Sequence, residues 1–350
     1  MEFVKNLSAI KNDIERIYKD NPFMSPYQSF DFLNITGKGM TDKQPWLTLF
    51  MRELNVVYRN KNGDVIVVAP MLYQRKNSGC HVWLRGVWTS AGHLDFVYDS
   101  DQYTYEVFSE IIDETVKKLG KCIFHFTKVQ QKSLTVKYIE RKFQDVYEKR
   151  IEECATIILP ETYDAWFASL KKSAKQNIRT AYNRMNRENL SFEFVFRENE
   201  SLKDGEYKEM IRLYSQRLAQ KNSLKESAVI LHILKFLKTV NPMTKALKKM
   251  KNTSCGIIRI NDEIAGCFWG VSCNDGRLII PRLSINNKYG VYCPGGLLIA
   301  ETIKKLTEEN RKYTEFDLSC GDEPYKYTYG AVPHYNLSYH IKSSQQQRTI

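Results

Sequence analysis

The segment "RLIIPRLSINNKYGVYCPGGLLIAETIKKL" (residues 277–306) joins a predicted β-strand to a strongly helical run that begins in an unusual way. Pro294 suits the first helical position, where its missing N–H costs nothing. Gly295 and Gly296 follow it, although each glycine costs roughly 1 kcal/mol relative to alanine inside a helix. Cys293, in the capping position, offers none of the side-chain oxygens that Ser, Thr, Asp or Asn would supply. The sequence therefore predicts a helix start with uncapped backbone N–H groups.

Two explanations fit this helix start. The amides of residues 295–298, beside the positive end of the helix dipole, would bind a phosphate, and glycine would let that phosphate approach closely. The alternative is close packing of the helix against a strand, where only glycine fits. A position between two predicted parallel strands favours the phosphate. The residues predicted to form this site are Tyr292, Pro294, Gly295, Gly296, Leu297 and Leu298.

The unusual helix lies within a regular order of elements in the second half of the chain. Hydrophobic periodicity predicts helices at 164–189, 204–221 and 225–239, with a strand at 190–197. Three further strands, separated by Asn-Asp and Asn-Asp-Gly turns, predict an antiparallel meander, and one more strand follows the unusual helix. These four strands are 255–260, 263–273, 277–285 and 313–320.

The last of these strands sets the topology. A strand–helix–strand crossover places residues 313–320 parallel to residues 277–285. Pro281 has no N–H, so it predicts a bulge or a missing ladder bond in the earlier strand. The first half of the chain repeats the plan more loosely, beginning with a hairpin that turns at Asn62-Gly63. The predicted fold class is therefore α/β (α+β), with a mixed, mostly antiparallel sheet flanked by helices.

The composition narrows the class of protein. A chain of 350 residues, 43% of them hydrophobic, can bury a large core, and this length favours two domains. No apolar run approaches the ~20 residues that span a bilayer, and the N-terminus lacks the apolar stretch of a signal peptide. The eight cysteines form no C-x-x-C pair, which favours buried thiols over disulfides or zinc. We therefore expect a cytoplasmic protein without a membrane span.

The charge points to an anionic partner. The net charge is +12, and the last 200 residues carry +8 of it, with 30 basic and 22 acidic side chains. This asymmetry does not separate nucleic acid from a phosphorylated cofactor or a membrane surface. Lys175 and Arg179 share one face of the basic helix with Lys172. They are candidates for binding a phosphate-bearing substrate, and an ordinary solvated face is the alternative.

Three stretches resemble the GNAT acyltransferase superfamily. The resemblance is closer to its tandem-domain branch, which includes CelD-like acetyltransferases and Fem peptidyltransferases. The stretches are "LKKSAKQNIRTAYNR" (170–184), "YCPGGLLIAETIKKL" (292–306) and "FDLSCGDEPYKYTYGA" (316–331), and "NPFMSPYQSFDFL" (21–33) is similar to the usual start of the first domain. The general GNAT pyrophosphate motif, Gln/Arg-x-x-Gly-x-Gly/Ala, is not present in that form.

The resemblance implies two tandem GNAT-like domains, residues 1–155 and 156–350, with the cofactor site in the second. The first domain is expected to have lost cofactor binding and to shape the acceptor groove. The implied activity is that of an acyl-CoA-dependent N-acyltransferase, with acetyl-CoA as the simplest donor and no metal. It would act by direct transfer to an amino group of a sugar or cell-envelope precursor, as in polysaccharide biosynthesis.

The same resemblance assigns roles within the site. Splayed core strands would hold the pantetheine arm, and a strand amide at Leu283, Ser284 or Ile285 would polarise the thioester carbonyl. Acyl transfer to an amine needs a base for the amine and an acid for the departing thiolate. The residues predicted around this chemistry are Glu323 as base, Tyr325 as acid, Asp317 beside them, Lys326 on a phosphate or the acceptor, and His334 as a weaker alternative base. Purely structural roles, in capping, packing or ion pairs, are the alternative for each.

Two rival functions also fit the sequence. A Fem-like transferase would take its group from aminoacyl-tRNA, and the basic second half of the chain favours it. The sequence shows no long helical-hairpin insertion of the kind that Fem-type tRNA users often carry. The second rival is a non-catalytic protein that binds nucleic acid or another partner on a GNAT scaffold.

Overall fold

A computed structural model describes residues 1–37, 51–87, 89, 91–144, 147–221, 230, 233, 242–309 and 311–343. By their contacts these residues form two units, Met1–Glu153 with Tyr335–Ile350, and Cys154–His334. The predicted mixed α/β class is confirmed. The helix predicted at 225–239 lies almost entirely outside the described residues.

The described strands are numbered in chain order. They are β1 (Glu2–Val4), β2 (Arg52–Arg59), β3 (Val65–Lys76), β4 (Gly79–Leu84), β5 (Val97–Tyr98), β6 (Cys122–Gln130), β7 (Tyr147–Ile158), β8 (Phe192–Arg197), β9 (Thr253–Ile260), β10 (Glu263–Ser272), β11 (Arg277–Ile285), β12 (Glu315–Cys320) and β13 (Val332–Lys342).

The described α-helices are numbered in the same way. They are α1 (Lys11–Asp20), α2 (Phe30–Ile35), α3 (Tyr105–Leu119), α4 (Leu134–Phe143), α5 (Tyr163–Ser169), α6 (Lys172–Arg187), α7 (Asp204–Lys221), α8 (Pro242–Lys249), α9 (Pro294–Glu308) and α10 (Pro324–Thr328). Short 3₁₀ helices cover Leu7–Ile10, Pro26–Gln28 and Asn287–Tyr292.

The sheet of the first unit has the order β1-β2-β3-β4-β6-β13, with β5 beside β3. Its neighbours are antiparallel except β4 and β6. The sequence prediction assigned residues 335–350 to the second domain. Of these, the described residues 335–343 group with the first unit, because Asn336–Lys342 pairs antiparallel with β6.

The second unit orders its strands β7-β12-β11-β10-β9-β8. From β8 to β11, each strand pairs antiparallel with the next one along the chain. Strands β11 and β12 run parallel. The predicted meander and crossover are therefore confirmed. This order puts the start of α9 at the end of β11, directly after the short helix Asn287–Tyr292.

Helices α6 and α9 share the core of the second unit with the sheet. The predicted apolar stripe of α6 is buried at Ala174, Ile178, Ala181 and Met185. The single helix predicted over 164–189 is wrong, because the chain breaks between α5 and α6. Leu170 is buried there with an extended backbone (φ −66°, ψ 150°), so its side chain enters the core where a continuous helix would turn it elsewhere.

The pairing of Gly256 with Phe268 provides a test of this core. A Cβ added at Gly256 would lie 2.3 Å from Cε1 of the fully buried Phe268 ring. We expect Gly256→Ala to lower the free energy of unfolding by about 1–3 kcal/mol, because overpacking strains the sheet. Denaturant titration measures the change.

The matched control for this substitution is Gly205→Ala. Gly205 lies in the first turn of α7, with no heavy atom within 4 Å of an added Cβ. Alanine should be neutral or stabilising there, because it favours the helix. Equal destabilisation by both substitutions would contradict the packing argument.

Candidate active site

The parallel strands β11 and β12 separate soon after they pair. Their ladder contains only the pairs Arg277–Glu315, Leu278–Phe316 and Ile279–Asp317, although β11 continues to Ile285. Pro281 explains the end of the ladder, since it has no N–H to donate. Opposite Gly270 of β10, the two residues Ile280 and Pro281 form the predicted bulge. The result is a gap between the two central strands.

The backbone of β11 faces this gap at alternate residues. Asn286 donates its N–H to the carbonyl of Ala265 across the β10–β11 ladder, at 2.8 Å. Because amides alternate in direction along a strand, those of Leu283 and Ile285 point to the gap, and that of Ser284 points to β10. The side chain of Ser284 is buried, and its hydroxyl donates to the Met210 carbonyl on α7. Two of the three strand residues predicted at the thioester therefore present their amides to the gap.

Helix α9 begins without a side-chain cap among the described residues. Its N-cap, Cys293, has a left-handed backbone (φ 50°, ψ 50°) and donates its own N–H to the carbonyl of Gly290. The amide of Leu297 is already used inside the helix, at 3.0 Å from the Cys293 carbonyl. The prediction of bare amides at 295–298 therefore narrows to those of Gly295 and Gly296.

The two glycines have different surroundings. A Cβ at Gly296 would lie 2.1 Å from the Tyr329 hydroxyl and 2.8 Å from Cys293 Sγ, so close packing explains this glycine. At Gly295 the nearest heavy atom to an added Cβ would be Ile285 Cγ2, at an ordinary 3.6 Å. Packing does not require glycine at 295, and the phosphate explanation remains for that residue.

The other residues predicted around this helix start contribute backbone or packing. Pro294, Leu297 and Leu298 are buried in the core and anchor the helix. Tyr292 donates its hydroxyl to the carboxylate of Glu188, the residue that follows α6. These side chains hold the helix start in place, so a ligand there would contact mainly main-chain groups.

A cavity of about 360 Å³ lies at the end of β11. It lies between the C-terminal half of α7 and the end of β11, and Ile285 belongs both to its wall and to the surroundings of Gly295. The residues around it are Arg212, Leu213, Gln216, Arg217, Gln220, Glu263, Ile285, Asn286, Asn287 and Lys288.

Two of the three cations in this cavity are neutralised by the protein. Arg212 pairs with Glu209 at 2.6 Å, and Lys288 pairs with Glu263 at 2.7 Å. Arg217 has no ion-pair partner among the described residues, so its charge is available to a ligand. The sequence analysis did not single it out, because the hydrophobic pattern of α7 does not show which of its basic residues lacks a neighbouring acid.

The charge of Arg217 acts on Glu323 and Tyr325, at the start of α10. Burial raises the pKa of Glu323, but the Lys326 ammonium, 3.0 Å away, outweighs it and leaves the pKa lowered. Burial, with the Glu323 charge, raises the pKa of Tyr325, and the charge of Arg217 opposes this. At neutral pH the carboxylate is thus ionised and the phenol is protonated.

Lys326 holds the loop between β12 and α10. It is only 2% exposed, and Nζ donates to the carbonyls of Ser319 (3.0 Å), Cys320 (3.2 Å) and Gly321 (2.9 Å). An ammonium has three protons, so these contacts and the Glu323 carboxylate satisfy it. The geometry gives Lys326 this loop-holding role in place of the predicted contact with a phosphate or the acceptor.

Asp317 also has a structural role. It is 1% exposed, Oδ1 accepts the Ser319 N–H at 2.6 Å, and Oδ2 lies 3.2 Å from His334 Nε2. Ser319 in turn has a left-handed backbone (φ 60°) and donates its hydroxyl to the Ile280 carbonyl across the gap, at 2.9 Å. The carboxylate therefore fixes the end of β12 where the ladder stops.

The predicted substrate residues of the basic helix contact α5. Lys175 donates to the Ala168 carbonyl at 2.6 Å, and the Arg179 guanidinium lies 5.3 Å from the centre of the Phe167 ring. Both cations thus contact α5. Arg179 and Lys172 are exposed on α6.

The first unit has a cavity of its own, of about 440 Å³. Burial raises the pKa of Asp95, on its wall, to about 6, although hydrogen bonds from the Ser133 hydroxyl, Thr135 and the Phe96 N–H oppose the rise. The loss of cofactor binding in this part of the chain stays a prediction. The cavity residues are Asn21, Phe23, Met24, Ser25, Gln28, His93, Asp95, Phe96, Tyr98, Ser100, Gln130, Lys132, Ser133 and Leu134.

A mixed sheet whose central parallel strands separate beside an uncapped helix start defines the GNAT class of fold. Residues 172–327 match the sequence model of the acetyltransferase (GNAT) domain. The resemblance found in the sequence is therefore confirmed. No curated protein matches the chain.

Solved structures share the fold over almost the whole chain. FemX aligns with a TM-score of 0.60 at 10% identity, covering 97% of each chain. A conserved protein of unknown function from Bacteroides thetaiotaomicron VPI-5482 aligns at 0.58 and 12%, covering 98% of this chain and 100% of its own. L-PGS from Bacillus licheniformis aligns at 0.50 and 13%, covering 93% and 94%. At these identities the likeness concerns the fold alone.

None of the helices in the described parts of the chain combines the length and the apolar character that crossing a bilayer requires.

The buried ammonium of Lys326 gives a prediction about stability. We expect Lys326→Met to lower the free energy of unfolding by at least about 2 kcal/mol, because three carbonyls lose their donor and Glu323 loses its counter-charge. Thermal unfolding measures it. The control is Lys305→Met, at a partly exposed lysine paired with Glu309, which should change stability by less than about 0.5 kcal/mol. Similar losses in both variants would contradict the assigned role.

Asp95 gives a prediction about pH. Its folded pKa of about 6 lies above the ordinary 3.8, so the native state binds the proton more tightly than the unfolded state. Stability should therefore fall as pH rises from about 4 to 6, by up to about 3 kcal/mol from this group. The variant Asp95→Asn lacks this titrating group. The free energy of unfolding of the wild type, relative to that of the variant, should therefore fall with pH in thermal melts recorded from pH 4 to 7. Parallel curves would refute the shift.

Proposed function

We propose that this protein is an acyl-CoA-dependent N-acyltransferase, with acetyl-CoA as the simplest donor. Its acceptor is an amino group on a sugar or cell-envelope precursor. The observation that carries the proposal is the start of α9, where the amides of Gly295 and Gly296 have no protein acceptor among the described residues and Gly295 has no packing reason to be glycine.

The residues at the helix start suit a diphosphate. Two amide donors and the helix dipole stabilise negative charge, and a side chain at position 295 would occupy the space through which the ligand approaches. Arg217 adds a cation without an ion-pair partner among the described residues, in the cavity at the end of β11. The same cation also suits an anionic group on the acceptor, so its partner is a matter for experiment.

The gap between β11 and β12 suits the pantetheine arm. The amides of Leu283 and Ile285 face it, and such strand donors pair with the amides of an extended chain. One of them would also polarise the thioester carbonyl while negative charge develops on the oxygen. These contacts would position the acyl carbon for direct attack by the acceptor amine.

The two residues proposed for proton transfer lie at the start of α10. Glu323, ionised and partly exposed, takes the proton that the acceptor amine releases as its nitrogen bonds to the acyl carbon. Tyr325, kept protonated by its raised pKa, donates to the sulfur as the carbon–sulfur bond breaks. Asp317 and Lys326 act indirectly, because they hold the strand end and the loop that carry these two groups.

A second candidate is a Fem-like transfer from aminoacyl-tRNA. Exposed Lys171 and Lys172 at the start of α6, together with the +8 charge of the last 200 residues, favour an extended polyanion. Binding would then weaken steeply with salt, since each neutralised phosphate releases a counterion. A protein that binds nucleic acid without catalysis would share this salt dependence but would transfer no group.

The direct test is isothermal titration of the protein with acetyl-CoA and with CoA. Gly295→Asp should weaken binding at least about tenfold, because a carboxylate then occupies the diphosphate position, while Asp in the first turn favours the helix and preserves folding. Gly205→Asp makes the same change in the first turn of α7, with no heavy atom within 4 Å of the added Cβ, and should leave binding unchanged.

Two outcomes would overturn the proposal. The first is no heat with folded wild-type protein at millimolar CoA. The second is equal binding by wild type and Gly295→Asp. Titration with aminoacyl-tRNA at two salt concentrations then decides whether the second candidate replaces it, since only a polyanion contact gives the steep dependence.

A further inference from the structure

Two cysteines that are far apart in sequence meet at the end of β12. Cys320 lies directly opposite Cys154 of β7, and their sulfur atoms are 2.8 Å apart. Cys154 is fully buried and Cys320 is partly exposed. Both belong to the second unit.

The meeting depends on an irregularity in the β7–β12 ladder. The pairs Glu315–Ile158 and Asp317–Thr156 set a register that would place Ser319 opposite Cys154. A register shift after Asp317, at the left-handed Ser319, moves Cys320 into that position instead. The thiols therefore face each other because the chain is bent there, and Asp317 maintains the bend through the Ser319 N–H.

We propose that Cys154 and Cys320 are a modification site, at which a peroxide forms a reversible disulfide. Residues directly opposite each other in an antiparallel ladder have Cα atoms about 4.5–5.5 Å apart. That spacing lies within the range of about 4.4–6.8 Å that a disulfide spans. The cross-link can therefore form without moving either strand far.

The two thiols have distinct roles in this reaction. Cys320, reachable from solvent, attacks one peroxide oxygen as its thiolate and becomes a sulfenic acid, and the released hydroxide takes a proton to become water. Cys154 then attacks the Cys320 sulfur, which forms the S–S bond and releases a second water. Two thiols thus lose two protons and two electrons, and one hydrogen peroxide becomes two waters. A dithiol reductant reverses the change.

The electrostatics agree with this order. The hydrogen bond with Cys320 and burial raise the pKa of Cys154, although the nearby Lys326 ammonium opposes the rise. Cys154 is therefore the thiol that stays protonated until its neighbour has been oxidised. The ammonium of Lys326 also lies within the loop that carries Cys320, where it contacts the Cys320 carbonyl.

The remaining cysteines provide internal comparisons. Cys80 and Cys122 also lie opposite each other, on β4 and β6, but both are buried and out of reach of a peroxide. Cys293 is partly exposed, and the contact of its sulfur is with the Tyr329 hydroxyl, at 3.1 Å. Neither arrangement offers both an accessible thiol and a second thiol behind it.

The experiment uses the full chain, reduced, freed of reductant and treated with a few equivalents of hydrogen peroxide. Remaining thiols are blocked with N-ethylmaleimide, and a digest without reductant is analysed by mass spectrometry. We expect the intact mass, measured before blocking, to fall by two hydrogens and a Cys154–Cys320 linked peptide to appear in the digest. The peptides of Cys80, Cys122 and Cys293 should remain thiols, and dithiothreitol should restore the starting mass.

The variant Cys154→Ala separates the two roles. Its Cys320 should stop at the sulfenic acid, which dimedone traps as an adduct, while Cys320→Ser should give neither adduct nor disulfide. If either variant fails to fold, the wild-type digest decides alone, since it compares all eight cysteines in one sample. The proposal is overturned if Cys154 and Cys320 stay thiols under this treatment, or if Cys80 and Cys122 are linked to the same extent. Neither result bears on CoA binding, so the test is independent of the proposed function.

Discussion

The missing N–H of Pro281 is the constraint on which the second unit's site depends. It ends the parallel ladder after Ile279 and Asp317, and it leaves β11 to continue alone beside an open gap. The protein compensates with side chains, because the Ser319 hydroxyl bonds to the Ile280 carbonyl and Asp317 holds Ser319. One residue without a donor thus creates a gap lined with strand amides, which a continuous ladder would have consumed.

The adjacent glycines at the start of α9 illustrate how packing and ligand binding share one short segment. Gly296 is fixed by the fold, since Tyr329 occupies the space that a side chain would need. Gly295 has that space free and an amide without a protein partner among the described residues. A helix start with no ligand would gain stability from a capping Ser or Asp and from alanine at position 295. The sequence has neither, as a helix start that serves the proposed diphosphate site would.

Local patterns predicted the order of elements well. The turns between β9, β10 and β11, the crossover to β12 and the effect of Pro281 all follow from short-range rules. Long-range contacts account for what was missed. The break at Leu170 follows from burial in a core built by distant strands, Lys326 is held by carbonyls of a folded loop, and the Cys154–Cys320 pair needs a register shift that no spacing reveals. Arg217 stands out only once the acids near the other cations are located.

The choice of donor rests on where the free positive groups are, because a shared fold at 10–13% identity does not select one. The sequence shows a dense row of cations on α6, as a polyanion would require. In the structure, Lys175 and Arg179 contact α5, while Arg179 and Lys172 of the predicted face are exposed. The donors without a protein partner among the described residues are instead the amides of Gly295 and Gly296, with Arg217 in the cavity at the end of β11. The proposed diphosphate would use these donors, whereas the proposed polyanion contact would run along α6.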